Sequence, residues 1–343
     1  MEANTINKSN NNYDTLASSI KSGCVDKFYI FHGEERYLLE RGLTSLRALL
    51  CPNGLDGFNY KRFDGKGLTA DDIEDAVNTF PAFADKTLIE IHDFDVFKSD
   101  ARERLCGIFS DLPDYVCIVL IYSTIEYKPD GRQKLNKEIL KHATVIDFIA
   151  QDQDKLVKWI KRHFADAGKN ISTSDAQYLS FITGGLMSSL KGEIEKTSAY
   201  SKHETVTKQD IDAVVSPVLD AVTYKLTDAI VSRENKRTLR ILDELFQMRE
   251  VPHKMIYSIS LKMRQLLAAR VCIEHNLNST KLMEMSGIRH EFQARTLMST
   301  ARKTTLSYCQ NTVLFCSATA LELNSGAEPE SRLIELVAKL AMN

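Results

Sequence analysis

The sequence predicts a parallel α/β domain over residues 1–150 followed by two all-α domains, and three observations carry that prediction. Short β-rich runs alternate with amphipathic stretches through the first 150 residues, and such alternation builds a mostly parallel sheet with helices on both faces. After Ala150 the strand signal disappears and helical spacing takes over. A chain of 343 residues also exceeds what one hydrophobic core ordinarily serves, so two or three domains are expected.

The expected strands are Lys27–Phe31, Asn59–Phe63, Thr87–Ile91, Tyr115–Tyr122 and Thr144–Phe148. Between the first two, Glu35–Leu50 places Leu38, Leu39, Leu43, Leu46, Leu49 and Leu50 on one helical face. Thr69–Thr79 opens on Thr69-x-x-Asp72, a capping-box pattern, and turns Ile73, Ala76 and Val77 inward. Residues 151–215 read as a small helical lid. Asp154–Ala167 carries Leu156, Trp159, Ile160 and Phe164 on one face, with Gly168 as its stop. Thr173–Ile182 and Met187–Tyr200 follow, separated by Gly184-Gly185, and Thr207-x-x-Asp210 caps a further short helix. Pro217 opens the third domain, residues 216–343, with helices over Ala221–Val231, Asn235–Arg249, His253–His275, Glu291–Thr300 and Arg332–Met342. No internal repeat at a fixed period is visible, which disfavours a solenoid.

Charge argues against a free-standing nucleic-acid binder. The net formal charge is -2; residues 216–343 hold 17 Lys and Arg against 13 Asp and Glu, and the first 215 hold 27 against 33. Neither half has the strongly basic balance that phosphate binding needs, so any DNA contact is expected to be weak or shared with partners. The seven cysteines are scattered without a Cys-x-x-Cys pair. They read as buried free thiols of a reducing cytoplasm, not as disulfides or a zinc site. The first twelve residues are polar and expected to be frayed. No secretory signal and no apolar run near membrane-spanning length are visible, which points to a cytoplasmic protein without a membrane partner.

A parallel α/β domain followed by a helical lid suggests a nucleotide-driven machine, and the phosphate loop decides. It requires Gly-x-x-x-x-Gly-Lys-Ser/Thr, so that backbone N–H groups cradle the phosphates. The junction here reads Phe31-His32-Gly33-Glu34-Glu35-Arg36-Tyr37, with no lysine and two carboxylates where phosphates would sit, and like charge repels ATP. Gly65-Lys66 and Gly168-Lys169 lack the rest of the motif. Asp93 and Asp95 superficially match a magnesium-binding pair but read as solvated strand-end carboxylates, and His32 as a hydrogen-bonded residue at a strand end. No His-Glu-x-x-His and no Gly-x-Ser-x-Gly exists. No catalytic residue, cofactor site or metal site is therefore assigned.

What remains is a recognition feature. In Asn78-Thr79-Phe80-Pro81-Ala82-Phe83-Ala84-Asp85-Lys86 two phenylalanines flank a proline that must end or bend the preceding helix. Exposed aromatics at such a tip anchor well in a partner's pocket. Residue type alone favours packing of both rings on the domain's own core.

Four stretches together resemble the delta subunits of bacterial DNA polymerase III clamp loaders. They are Tyr29-Ile30-Phe31-His32-Gly33-Glu34-Glu35-Arg36-Tyr37-Leu38; Phe80 through Ile89; Leu179-x-x-x-x-Gly184 through Leu190-Lys191-Gly192-Glu193-Ile194-Glu195-Lys196; and Leu321-Glu322-Leu323-Asn324-Ser325-Gly326 with Leu333-Ile334-Glu335-Leu336. They run in the family's order from about Phe28 to Leu340. The resemblance implies an AAA+-like, P-loop ATPase-type fold without a functional phosphate loop, in a non-catalytic subunit of the polymerase holoenzyme; nucleotidyltransferase activity belongs to the complex. It implies that the first domain grips and opens the sliding clamp. The third would join a helical collar with the ATPase subunits and the delta-prime subunit. By motif position the clamp-binding plug falls on Phe80, Pro81, Ala82 and Phe83.

Two positions depart from the family pattern. Ala82 stands where the residue before the plug phenylalanine is usually large and apolar, which implies a weaker plug unless Phe80 compensates. Asn324 stands where the signature usually has Lys, which puts a contact with a neighbouring subunit in doubt. Contacts to primed DNA within the complex would fall to scattered basic residues: Arg36, Lys128, Arg132 and Lys134. Glu126, Asp130 and Glu138 accompany the last three, so a salt-bridged solvated face is the competing reading. Two other functions fit the fold class: an active ATPase, which ATP turnover would reveal, and an assembly or DNA-binding protein unrelated to replication, which would bind DNA with a steep salt dependence.

Overall fold

The computed structural model describes residues 13–52, 56–82, 84–288 and 291–342; the polar first twelve residues lie outside them. The chain forms two compact units, Met1–Gln151 and Asp152–Asn343.

In the first unit the elements run α1 (Tyr13–Ser22), β1 (Phe28–His32), α2 (Arg36–Leu50), α3 (Asp56–Asn59), β2 (Tyr60–Asp64), α4 (Ala70–Asn78), β3 (Thr87–His92), α5 (Arg102–Ser110), β4 (Val116–Ile121), α6 (Lys134–His142) and β5 (Thr144–Asp147). The strands form one parallel sheet in the order β2-β3-β4-β1-β5. This is the parallel α/β arrangement that the alternating pattern predicts. Ile30 pairs with Leu120 on one side and Val145 on the other. β4 reads Val-Cys-Ile-Val-Leu-Ile and is buried at every position, because a central parallel strand is covered on both faces and cannot alternate. One core joins Phe28, Ile30, Ile73, Val77, Ile89, Ile91, Phe109 and Leu120. On α2, Leu38, Leu39, Leu43, Leu46 and Leu50 are buried, as the spacing predicts; Leu49 is only half-buried. The helix α1 is not among the expected elements, and at Gly42 of α2 the Leu16 side chain of α1 comes within 2.9 Å of where a Cβ would stand.

The second unit contains α7 (Gln153–Asp166), β6 (Asn170–Ile171), α8 (Thr173–Ile182), α9 (Met187–Tyr200), β7 (Thr205–Val206), α10 (Lys208–Val214), α11 (Leu219–Val231), α12 (Asn235–Gln247), α13 (Pro252–Glu274), α14 (Ser279–Ser286), α15 (Glu291–Ala301), α16 (Leu306–Asn324) and α17 (Pro329–Met342). The expectation of no strand after Ala150 fails at β6 and β7, which pair in parallel through Asn170–Thr205 and Ile171–Val206. Two-residue strands carry no period to read. Asp152, Ser172 and Thr207 cap α7, α8 and α10 through their side chains, and the capping box of Thr207 and Asp210 is complete.

α16 is likewise absent from the expected helices, and its buried stripe explains why. Cys309, Thr312, Cys316, Thr319 and Leu323 face inward, while Leu314 and Leu321 are 64% and 68% exposed. The apolar period is written in small, half-polar residues. Thr312 and Thr319 return their hydroxyls to the carbonyls of Cys309 and Phe315 at 2.7 and 3.0 Å, so neither buries an unpaired donor.

Lys262 of α13 is buried, and its Nζ lies 2.7 Å from Asp220 Oδ1 and 3.3 Å from Gln265 Oε1. Burial pushes its ammonium below the usual lysine range, against the pull of Asp220. Removing one partner of such a pair costs more than replacing the buried charge by a hydrophobe of similar shape. Asp220→Ala is expected to destabilise by about 2–3 kcal/mol and Lys262→Met by less than about 1 kcal/mol; urea denaturation of both variants checks the order.

Six cysteines are buried, Cys24 is exposed, and all are free. Burial pushes the Cys117 thiol up to about 12, which keeps it unreactive. Among the described residues no helix is long and apolar enough to cross a membrane, and no cluster of three or more His, Cys, Asp or Glu is placed to hold a metal.

Candidate functional site

The segment between α4 and β3 is built from its two ends. Thr69 and Asp72 close a capping box at the start of α4, with reciprocal bonds of 3.2 and 2.9 Å. Those bonds hold the Asp72 carboxyl below its usual range. At the other end Thr79 leaves the helix in extended geometry, and Pro81, two residues on, cannot continue the helix. Its hydroxyl donates to the Asp75 carbonyl at 2.7 Å and accepts from Lys61 Nζ at 2.6 Å. Phe80 then projects outward, 75% exposed, with its ring tilted against Tyr115 at 5.0 Å. Pro81 and Ala82 are half-buried. The segment rejoins the sheet where the Thr87 N–H donates to the Tyr115 carbonyl at 2.7 Å. Phe83 lies outside the described residues.

A residue that sequence reasoning does not single out holds the middle of this loop. Asn59, fully buried at the end of α3, donates from Nδ2 to the Ala82 carbonyl and accepts at Oδ1 from the Ala82 N–H, both at 2.6 Å. Its own carbonyl accepts from Cys51 Sγ at 3.3 Å. No sequence signal marks the pairing, because it joins a side chain to backbone 23 residues away.

Next to Asn59, Tyr60 contributes to a buried charge cluster. Glu90 of β3 is wholly buried and receives Arg47 at 2.8 and 2.6 Å, Tyr60 Oη at 3.0 Å and His92 Nε2 at 3.3 Å. Burial pushes the Glu90 carboxyl up, but the bonds from His92, Arg47 and Tyr60 prevail and hold it below the usual range.

The β1–α2 junction, where a phosphate loop would lie, is closed by backbone. The Phe148 N–H donates to the His32 carbonyl, and the Glu35 N–H donates to the Phe148 carbonyl, each at 2.8 Å. Gly33 has φ +127°, and a Cβ there would stand 2.4 Å from the Phe148 carbonyl oxygen. The pair of carboxylates expected at the phosphate position is corrected: Glu34 is exposed but Glu35 is fully buried. His32 is the strand-end residue expected, stacked on Tyr127 at 4.1 Å and 3.5 Å from Asp147. Burial lowers its pKa despite Asp147.

Asp93 is not the free strand-end carboxylate that the sequence implies. It adopts φ 55° and accepts from the Ser123 and Thr124 N–H groups at 2.6 and 2.7 Å and from the Thr124 hydroxyl at 2.8 Å, tying the ends of β3 and β4 together. Asp95 pairs with Lys98 at 2.8 Å. Of the basic candidates, Arg36 donates to the carbonyls of Tyr122 and Ser123, and Lys128 pairs with Glu126 at 2.6 Å. Arg132 and Lys134 are exposed, and Glu138 pairs with Lys141 and His142, not with Lys134. In the second unit, Asn324 lines a groove of about 240 Å³ between α13 and α16 with His253, Tyr257 and Arg264.

The family model for the DNA polymerase III delta subunit matches residues 29–149, and the model for the C-terminal domain of that subunit matches residues 220–339. The chain is 23% identical to DNA polymerase III subunit delta of Bacillus subtilis, over 93% of both chains. It is 22% identical to the probable subunit delta of Aquifex aeolicus, over 78% of this chain and 77% of that one. The solved structure of the Bacillus subtilis DNA clamp loader delta protein superposes with a TM-score of 0.52 at 22% identity, covering 96% of this chain and all of that one, which speaks for a shared fold. Two family models, matched in order and together spanning more than half of the chain, place it in the family of DNA polymerase III delta subunits of the clamp loader.

Proposed function

We propose that this chain grips and opens the sliding clamp through the loop Phe80–Phe83 and is itself no ATPase. The observation that carries this reading is Phe80: a large ring three-quarters exposed on a loop fixed at both ends. Such a ring gains by burial in a partner's pocket. Ala82 supplies little area, and a missing leucine-sized side chain forgoes about 1.5–3 kcal/mol. Phe80 and Phe83 therefore carry the binding. A ligand shifts an equilibrium only by its differential affinity, so the loop opens the ring by binding the opened clamp better than the closed one.

ATP chemistry belongs to partner subunits in this reading, which the absence of a phosphate-loop motif and the packing of the Phe148 main chain on the β1–α2 junction support. Residues 151–215 act as the lid, and residues 216–343 enter the collar with the ATPase and delta-prime subunits. The exposed Leu314 and Leu321 of α16 suit that packing. Primed DNA is met weakly and only within the complex, through Lys128, Arg132 and Lys134, in the cytoplasm.

Binding of the purified chain to the clamp from the same source is the test. Phe83→Ala and Phe80→Ala are each expected to weaken it ten-fold or more, about 1.4 kcal/mol. Native binding that both variants leave intact moves the site elsewhere. No native binding removes the clamp-opening role.

A further inference from the structure

We infer that Asn59 is a positioning residue for clamp binding: it holds Phe80-Pro81-Ala82 in the shape the clamp receives without touching the clamp itself. The inference rests on the reading of this loop as the clamp contact. Four observations support it. Asn59 is fully buried, so it has no surface to offer a partner. Its amide meets both polar backbone groups of Ala82 at 2.6 Å, as a neighbouring strand would in a ladder. Phe80 and Ala82 lie on either side of Pro81, so fixing the Ala82 peptide fixes the direction in which the chain carries Phe80. Finally, Asn59 stands directly before the sheet that the loop must rejoin: the next residue, Tyr60, opens β2 and pairs with Leu88 of β3.

Only an amide of this length satisfies the site. Aspartate keeps an acceptor for the Ala82 N–H but sets a carboxylate oxygen against the Ala82 carbonyl. Glutamine adds a methylene and displaces the loop. Leucine has the right size and makes neither bond, which leaves the Ala82 N–H and carbonyl without a partner on their inner side. A loop that must be ordered on binding binds more weakly than one already ordered, so loss of Asn59 appears as lost affinity.

The experiment measures clamp affinity of the full chain for Asn59→Ala, for Phe80→Ala/Phe83→Ala and for the three combined, together with hydrogen exchange at the Ala82 amide. Asn59→Ala is expected to weaken binding ten-fold or more and to speed Ala82 exchange by at least ten-fold. In the Phe80→Ala/Phe83→Ala background the same change should alter affinity less than two-fold, since it acts through the rings. Equal losses in both backgrounds would mean general damage and overturn the inference. So would unchanged affinity in Asn59→Ala beside a clear loss in Phe80→Ala/Phe83→Ala. If native binding ignores the phenylalanines, the loop reading falls and this role falls with it. Should Asn59→Ala not fold, Asn59→Asp carries the same test, with at least a three-fold loss expected and unchanged affinity overturning the inference.

Discussion

Gly33→Ala is expected to destabilise the unit Met1–Gln151 by about 3 kcal/mol or more. Two effects add. The residue has φ +127°, a conformation costly for any residue with a Cβ. The new Cβ would also stand 2.4 Å from the Phe148 carbonyl oxygen and 2.7 Å from its nitrogen. Those neighbours are backbone atoms, and the two 2.8 Å bonds that join Phe148 to His32 and Glu35 prevent an easy retreat. Gly67→Ala is the control. It also sits at positive φ, +81°, but a Cβ there meets nothing within 4 Å, so about 1 kcal/mol is expected. Hydrogen exchange of the β1 and β4 amides reads both variants. Equal losses for the two would show that the close approach of Phe148 to Gly33 does not hold in solution.

Glu90→Gln should cost about 2–3 kcal/mol at neutral pH and should flatten the acid limb of the stability profile. The Glu90 carboxyl is fully buried with Arg47, Tyr60 and His92 around it, while the Arg47 side chain keeps 35% of its exposure. Arg47 can therefore turn to water when the carboxylate is lost, which keeps the cost below that of a fully enclosed pair. The folded pKa of Glu90 lies below its unfolded value of about 4.5. Its contribution is thus complete above the unfolded pKa and disappears as pH falls through the folded one. The native protein should lose stability from about pH 5 downward more steeply than Glu90→Gln. Urea midpoints of both proteins across that range decide, and parallel curves would remove Glu90 from the account.

The sheet is legible in the sequence because a parallel strand covered on both faces leaves a continuous apolar run, and Val116–Ile121 is such a run. The Phe80–Phe83 segment stands out in the sequence for a local reason: Pro81 must interrupt α4 and two aromatic residues flank it. Asn59 is not legible, since its partner is a backbone group brought near by the fold and backbone has no sequence signature. α16 escapes because its seam uses Cys309, Thr312, Cys316 and Thr319, while the bulkier Leu314 and Leu321 face outward. The β1–α2 junction is legible only in part. The sequence offers two adjacent carboxylates there, but Glu35 turns inward, and the Phe148 main chain that closes on the junction has no sequence signature.

A protein that binds a ligand only when folded gains stability with ligand concentration, by RT ln(1 + [L]/Kd). With the Glu35 N–H already given to Phe148 and the space beside Gly33 filled by the same residue, this unit has no such term in the proposed reading without ATP chemistry. In that reading its folding equilibrium does not follow ATP concentration, whatever the partner subunits do.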